Sequence, residues 1–288
     1  MYWIILLLII MTGCQLDNSK PLPMADHTLQ PFPTETPLPT PQVLTVEPAD
    51  YSAGLTVCKE NAGKISRETI HSPEIPGQML FRVYTPPCYV DGKDYPVLYL
   101  LHGLSSNDDQ WIRLGMTAAA DRLIASGEIR PLLIVMPYNP NGYIAPDSNF
   151  GSALVESLIP WVDEQYKTCV QADCRWIGGL SRGGGWAFYI YSHYPDEFSA
   201  VGGHSPAIFT RDPEKLASIL KDMPKTGRIW IDVAEQDSER NYLSTVDRLL
   251  TDADLPHLFI IHPGDHEESY WRQHVEEYLR WYVNNSLN

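Results

Sequence analysis

Ser181 lies in a glycine-rich segment, Gly179-Leu-Ser-Arg-Gly183, between two apolar stretches. The apolar run at 176–180 predicts the end of a buried strand, and the run at 186–191 predicts a buried helix. A serine between strand and helix, with glycines two positions before and two after it, is typical of a nucleophilic serine on a strained turn. Glycine is needed at both positions because so sharp a turn crowds its own backbone. The alternative is a glycine-rich turn that does no chemistry.

A serine hydroxyl is a weak nucleophile, so a base must take its proton and an acid must orient that base. When such a turn is catalytic, the acid and then the histidine follow the serine along the chain, each in a loop after a strand. Of the nine histidines, His266 lies in the segment 263–269, between the last predicted strand and the last predicted helix. We therefore predict that His266 is the base. The alternative is a surface histidine among acidic neighbours.

The acid is expected after the preceding strand, which is predicted at 228–234. Asp237 follows the strand end by three residues and is our predicted acid. Glu235, in the same loop, is the alternative. Asp232 falls inside the strand and is interpreted as a structural carboxylate. Asp265 is adjacent to the histidine in sequence, and a neighbour in sequence usually points elsewhere.

Hydrolysis through a tetrahedral intermediate also requires two N–H donors for the oxyanion. The residue after the nucleophile, Arg182, is predicted to supply one of them. Leu104 is predicted to supply the other, because it follows a buried strand and Gly103 lets the backbone approach a substrate closely. His102 belongs to the same loop and is interpreted as structural rather than as a base.

Alternating strands and helices are predicted from residue 96 onward to position these side chains. This alternation predicts an α/β fold, with a mostly parallel sheet and helices on both faces. Two edge strands are expected to precede it, at 65–71 and 79–85. Further strands are predicted at 95–102, 132–137, 176–180, 198–203, 228–234 and 257–262. The helices are predicted at 116–126, 154–166, 186–191, 213–220, 242–251 and 268–283.

The composition limits the class of partner. The 288 residues include 36 acidic and 21 basic side chains, a formal charge of -15. Such a surface repels a phosphate backbone, so nucleic acid is not expected as a partner. No compositional break divides residues 49–288, which are predicted to form one catalytic domain.

The first 48 residues are predicted to lie outside this domain. The apolar run 2–11 is too short to span a bilayer and suits a signal peptide at 1–13, although no Lys or Arg precedes it. The sequence Met-Thr-Gly-Cys14 resembles a bacterial lipobox, which predicts lipidation of Cys14 and an extracytoplasmic, membrane-anchored protein. The alternative is ordinary secretion. Residues 14–48, rich in proline and threonine, are predicted to form an extended tether without a fold.

Four further cysteines are expected to form two disulfides, since exported chains commonly carry an even number of paired cysteines. Cys169 and Cys174 enclose a short local loop and are predicted to pair. Cys58 and Cys88 then pair by elimination. The spacing of these four cysteines does not favour a zinc site, and no metal or cofactor is expected.

Residues from about 65 to 284 resemble the esterase family that includes enterochelin esterases, esterase D, feruloyl and acetylxylan esterases, and mycolyltransferases. Five segments carry the resemblance in the expected order: 95–111, 155–166, 179–184, 231–237 and 263–272. The resemblance implies an α/β-hydrolase fold, a Ser181–Asp237–His266 triad, and Leu104 and Arg182 as oxyanion donors. The sequence departs from the family at Ala234-Glu235, where small residues are common, and at Asp265-His266-Glu267.

The segment between the strands at 198–203 and 228–234 is too short for a large lid. We therefore expect an open site that accepts a small or polysaccharide-linked ester of a sugar or other bulky alcohol. An acyltransferase acting on a sugar hydroxyl and a catalytically inactive binding module are the alternatives. Five residues lie in predicted loops that could face Ser181 and form walls of the site: Tyr138, Tyr143, Asn149, Phe150 and Phe209. The alternative is ordinary packing within the loops.

Overall fold

An eight-stranded sheet forms the centre of the computed structural model, which describes residues 58–91, 93–140, 145, 147–222 and 227–284. The described residues belong to one compact unit, Gly54–Asn288. The predicted signal peptide, Cys14, the tether and Tyr143 lie outside the described residues.

The strands run in the spatial order β1-β2-β4-β3-β5-β6-β7-β8. Their bounds are β1 Lys64–His71, β2 Gln78–Thr85, β3 Val97–Leu101, β4 Leu133–Pro137, β5 Arg175–Leu180, β6 Ala200–His204, β7 Arg228–Ala234 and β8 Leu258–His262. The helices are α1 Gln110–Arg113, α2 Met116–Ala125, α3 Phe150–Ser152, α4 Ile159–Tyr166, α5 Arg182–His193, α6 Pro213–Lys221, α7 Arg240–Asp252 and α8 Glu268–Val283.

The predicted mostly parallel sheet is confirmed. Neighbouring strands from β3 to β8 pair in parallel, whereas β2 runs antiparallel to both β1 and β4. The carboxyl ends of the parallel strands therefore meet at one edge, where the loops after β3, β5, β7 and β8 come together.

One strand assignment was wrong. β2 was expected at an edge of the sheet, but it lies between β1 and β4, so only β1 is an edge strand of the pair. Its sequence alternates between buried and more exposed residues, as in any strand with one solvent-facing side. That pattern reports which face is covered and carries no information about which strands lie beside it.

The core has two halves, one on each side of the sheet. Helices α4, α5, α6 and α7 contribute to one half, and α2 and α8 contribute to the other. Every residue of β3 and of β5 is buried, as expected for strands covered on both faces. The two buried layers confirm that helices cover both faces of the sheet.

Four short elements were not predicted: helices α1 and α3, a π-helical turn at Ala153–Leu158 that leads into α4, and a 3-10 turn at Ala172–Cys174. A four-residue helix is too short to show a 3.6-residue period, and a π turn breaks that period.

Both predicted disulfides are present. Cys58 pairs with Cys88 near the start of the sheet, and Cys169 pairs with Cys174 in the loop before β5; the Cα atoms are 5.8 Å apart in each. Within the described ranges, no helix has the length and apolar character needed to cross a bilayer.

Candidate active site

Ser181 occupies a strained turn between β5 and α5. Its backbone has φ 51° and ψ -123°, a conformation that non-glycine residues rarely adopt. A Cβ at Gly179 would clash with the backbone of Gly183, and one at Gly183 would clash with the carbonyl groups of Leu101 and His102. Gly179 therefore lets β5 approach α5 closely, and Gly183 lets α5 approach the end of β3, which places the serine at the carboxyl edge of the sheet.

The structure brings His266 to this serine. The loop between β8 and α8 carries His266, whose Nε2 lies 2.9 Å from Ser181 Oγ. The other ring nitrogen, Nδ1, lies 2.6 Å from Asp237 Oδ2. The ring of Trp271 packs edge-on against the imidazole, with centroids 5.0 Å apart, and restricts its rotation.

Asp237 is the carboxylate that reaches the imidazole. Its side chain is fully buried, and Oδ1 accepts a 2.8 Å hydrogen bond from the Glu239 N–H. Burial raises the pKa of Asp237, but hydrogen bonds from His266, from the Glu239 N–H and from Ser205 outweigh burial and leave the pKa below its usual value. The carboxylate is therefore ionised and acts only as an acceptor at neutral pH.

The alternative acids face elsewhere. Glu235 is exposed to solvent. Asp265 uses its carboxylate to accept the backbone N–H of His266 at 2.8 Å, rather than the ring. Main-chain hydrogen bonds from Glu235 N–H to His262 and from Gln236 N–H to Gly264 join the acid loop to the histidine loop.

The loop after β3 lies directly against the serine. A Cβ built on Gly103 would be 3.6 Å from Ser181 Cβ. The Gly103 N–H donates to Gln110 Oε1 at 2.8 Å, and its carbonyl accepts from His102 Nδ1 at 2.7 Å. This loop presents the next residue, Leu104, with its side chain 60% exposed beside the site.

His102 is held as a structural residue. Besides the bond from Nδ1, its Nε2 accepts the Asn139 N–H at 2.9 Å, so both ring nitrogens are bonded to the main chain. Burial lowers the pKa of His102 to about 4, which keeps the ring neutral. The Arg182 side chain reaches the same segment and donates to Asn139 O at 2.8 Å. Together these bonds tie the loops after β3 and β4 to the start of α5.

His204, at the end of β6, was not considered in the sequence analysis. It is fully buried, and its Nδ1 lies 2.7 Å from Asp232 Oδ1. Its carbonyl accepts the Ser181 N–H at 3.1 Å and the Trp271 Nε1–H at 3.0 Å. A histidine closing a predicted buried strand is a polar residue in need of a partner, and that signal would have identified it.

Asp232, interpreted as structural, is the partner of this histidine. Its carboxylate is fully buried and also accepts from Trp230 Nε1 at 2.7 Å, Tyr270 OH at 2.6 Å and Tyr278 OH at 3.1 Å. Burial raises the pKa of Asp232, but His204 and the other donors outweigh burial, so the pKa lies below its usual value. The buried carboxylate therefore joins β6, β7 and α8 beneath the serine.

We expect Asp232→Ala to lower the free energy of unfolding by about 3–5 kcal/mol, because it leaves several buried donors unpaired. Urea denaturation followed by circular dichroism measures the change. Asp252→Ala removes a carboxylate that is 64% exposed in a surface ion pair and is expected to cost under about 1 kcal/mol. Equal losses in the two variants would contradict a structural role for the buried network.

The same carboxylate makes stability depend on pH. Because the pKa of Asp232 is lower in the folded state, this carboxylate takes up a proton more readily in the unfolded chain as the pH falls. The stability that the ionised carboxylate contributes is complete above its unfolded pKa of about 3.8, and it is lost as the pH falls through the folded pKa. The stability difference between wild type and Asp232→Ala should therefore shrink on acidification below about pH 4.

Gln110 links the loop after β3 to the start of α8. Its amide accepts from Gly103 N–H and donates to Glu268 Oε1 at 3.1 Å. We expect Gln110→Ala to lower the kcat of the reaction at this site about 10-fold with little change in KM, because the loop is loosened rather than removed. Steady-state kinetics checks this, with the exposed Gln236→Ala as the matched control. An unchanged kcat in Gln110→Ala would show that the loop does not need this bond.

The candidate wall residues occupy different environments. Phe150 was expected in a loop and considered as a possible wall of the site, but it begins α3, is fully buried and packs edge-on against Trp186. An aromatic residue in a polar segment can face either the site or the core. Packing against distant residues places Phe150 in the core. Asn149 is exposed at the start of α3, and Tyr138 stacks on His102.

Phe209 lines a cavity of about 400 Å³, with Tyr189, Ile208, Leu216 and Gly185 among the other lining residues. Gly185 lies one helical turn after the serine, since its N–H donates to Ser181 O at 3.1 Å. One wall of this mainly apolar and aromatic cavity therefore lies a helical turn from Ser181, although the side chains of Ser181, Asp237 and His266 are not among its lining residues.

The strand order and the serine turn between β5 and α5 are those of the α/β-hydrolase fold. A solved ferulic acid esterase has a TM-score of 0.71 to this chain at 24% identity and covers 78% of this chain and 98% of its own. A ferulic acid esterase from the anaerobic fungus Anaeromyces mucronatus has a TM-score of 0.68 to this chain at 21% identity. The match covers 84% of this chain and 97% of the fungal chain. These likenesses establish the fold.

Residues 72–282 match the sequence model of the family described as "Putative esterase". The chain therefore belongs to this esterase family. It is 28% identical over 234 residues to an endo-1,4-beta-xylanase/feruloyl esterase of Xylanibacter ruminicola, covering 75% of this chain but only 31% of that protein. The chain thus spans about a third of the length of this curated relative.

Proposed function

We propose that this protein is a serine carboxylic-ester hydrolase that acts through an acyl-enzyme. The observation that carries the proposal is the continuous hydrogen-bonded row from Ser181 Oγ through the His266 ring to the buried Asp237. Both distances are within the range required for proton transfer and for orientation of the base. The membership of the chain in an esterase family supports the same chemistry.

In the proposed reaction, Ser181 Oγ attacks the ester carbonyl while His266 Nε2 takes the hydroxyl proton. The tetrahedral intermediate then collapses, and the imidazolium returns the proton to the departing alcohol. Asp237 holds the proton of the ring on Nδ1, which leaves Nε2 free to accept, and stabilises the charged ring. Water attacks the acyl-enzyme with the same histidine as base, and the acid product leaves.

The oxyanion is proposed to bind the N–H groups of Leu104 and Arg182. Arg182 is the first residue of α5, so its N–H has no acceptor within the helix. Leu104 follows a glycine that lies against the serine, and the loop is held by Gln110 and His102. The positive end of α5 adds to the stabilisation of negative charge at this position.

The proposed substrate is an ester of a sugar or other bulky alcohol, with an acyl group that fits an apolar cavity. The cavity beside the turn is lined by Phe209 and Tyr189, which suit a planar or apolar group. Several of the solved and curated relatives are named as feruloyl or ferulic acid esterases. A feruloyl or related aromatic acyl ester attached to a polysaccharide is therefore our proposed substrate class.

We also propose that the protein works outside the cytoplasm, as a lipoprotein anchored through Cys14 after removal of residues 1–13. Two disulfides in the described part of the chain support an oxidising compartment. Mass spectrometry of the membrane fraction would show the lipid on Cys14, and a Cys14→Ala variant should be released into the soluble fraction.

The proposed function is tested with a panel of methyl ferulate, p-nitrophenyl acetate and longer acyl esters, followed by chromatography of the products. We expect each ester that the enzyme hydrolyses to release its free acid, and we expect a higher kcat/KM for methyl ferulate than for esters with long acyl chains. Repeating the reaction with a sugar acceptor separates hydrolysis from acyl transfer, since transfer would yield an acylated sugar in place of the acid. Absence of turnover on the whole panel, together with no labelling by a fluorophosphonate probe, would favour a binding module and overturn the proposal.

A further inference from the structure

A second group of reactive side chains lies where β8 joins α8. His262 is the last residue of β8, and His274 and Glu277 lie three positions apart on α8, on one face of the helix. We call these three residues the junction cluster. All three are partly buried, and none of them contacts the proposed triad.

The donor atoms of the junction cluster lie close together. Glu277 Oε2 lies 3.3 Å from His262 Nε2 and 3.2 Å from His274 Nδ1, and all three donor atoms lie within 4.8 Å of one another. A tetrahedral metal ion with bonds of 2.0–2.1 Å separates its donors by about 3.3 Å. The two separations from Glu277 match edges of that tetrahedron. The rings of His262 and His274 are stacked, with centroids 3.9 Å apart, and His274 Nδ1 is hydrogen-bonded to Glu277 Oε2, so one ring must turn before both nitrogens face the same ion.

His262 has a nitrogen without a hydrogen-bond partner. Its Nε2 is buried, and the 3.3 Å approach to Glu277 does not have the direction of a hydrogen bond. An imidazole nitrogen that lacks a hydrogen-bond partner and lies beside a carboxylate is available to bind a metal ion.

We propose that His262, His274 and Glu277 bind one divalent transition-metal ion of the zinc class, with water completing the coordination. Two imidazole nitrogens and one carboxylate suit zinc, whereas calcium and magnesium prefer oxygen donors throughout. The Glu277 side chain is 40% exposed and provides an entry path from solvent. The formal charge of -15 attracts cations to the surface.

The position of the site indicates what the ion would do. The loop 263–267, which carries His266, begins directly after His262 and leads into the helix that carries His274 and Glu277. The His262 carbonyl also accepts the N–H of Glu235, in the loop that carries the proposed acid. A bound ion would therefore clamp both ends of the histidine loop and stabilise the fold, without contacting substrate.

Binding is tested on the full chain after removal of metals with a chelator. Titration calorimetry with zinc chloride should show one ion per chain, and Co²⁺ should give the visible absorption of a tetrahedral site. The melting temperature should rise by about 5–10 °C at 100 times the dissociation constant. These readouts do not depend on ester hydrolysis, so their failure would leave the proposed function untouched.

Two variants locate the site. Glu277→Gln keeps the shape of a partly exposed side chain, and His274→Ala removes one imidazole; each should weaken zinc binding at least about 10-fold. His257→Ala is the matched control, because His257 pairs with Asp247 at 3.0 Å outside the cluster. The zinc affinity of this variant should equal that of the wild type. No zinc binding by the wild type, or unchanged affinity in both cluster variants, would overturn the proposal.

Discussion

Replacing Ser181 with alanine is expected to lower kcat/KM for p-nitrophenyl acetate by at least about 10⁴-fold. The hydroxyl that attacks the ester is lost, while the oxyanion donors and the substrate cavity remain. The fold should be unchanged, because alanine can adopt the backbone conformation of this serine and the change removes only the hydroxyl that is bonded to the His266 ring. Steady-state kinetics and fluorophosphonate labelling measure the effect.

Ser126→Ala is the matched control for this experiment. Ser126 lies at the end of α2, where its hydroxyl bonds only to local groups of Leu123 and Glu128. The kcat/KM of the Ser126→Ala variant should equal that of the wild type. Retention of most of the activity by Ser181→Ala, with the melting temperature unchanged, would show that another group is the nucleophile.

Asp237→Asn is expected to lower kcat by about 10⁴-fold while substrate binding changes little. An amide can donate to His266 Nδ1, which moves the ring proton to Nε2 and removes the acceptor that the serine needs. The carboxylate is fully buried and holds the imidazole at 2.6 Å, so no water molecule can take its place without a rearrangement. Kinetics at several pH values measures the loss.

Glu235→Gln separates the two candidate acids of this loop. Glu235 is exposed and is expected to tolerate the change with kcat within about twofold of the wild type, as surface substitutions usually do. A large loss in Glu235→Gln with a small loss in Asp237→Asn would reverse the assignment. Because the two residues are two positions apart, both variants test the same loop.

The proposed site depends on residues that do no chemistry. The His204 carbonyl accepts the N–H of Ser181, and the same carbonyl accepts from Trp271, whose ring packs against His266. Asp232 holds His204 and two tyrosines of α8. The proposed nucleophile and the proposed base are therefore positioned by one buried polar network, which explains why the expected cost of Asp232→Ala is large.

Most of the fold could be predicted because its signals are local. Apolar runs marked β3, β4 and β5, and alternation with amphipathic helices indicated a parallel sheet. The candidate triad followed from the same reasoning, since the loops after parallel strands must meet at one edge. Ser181, Asp237 and His266 could be proposed from their places in the order of elements, without any knowledge of distances.

Long-range packing decided the rest. The neighbours of β2, the burial of Phe150 and the meeting of His204 with Asp232 depend on residues that are distant in the sequence. The junction cluster likewise joins the end of a strand to a helix face. A pattern in the chain reports which side of an element is covered, but not what covers it. Contacts between remote residues form only when the whole sheet closes, because their free energy depends on the burial and geometry that the complete fold creates.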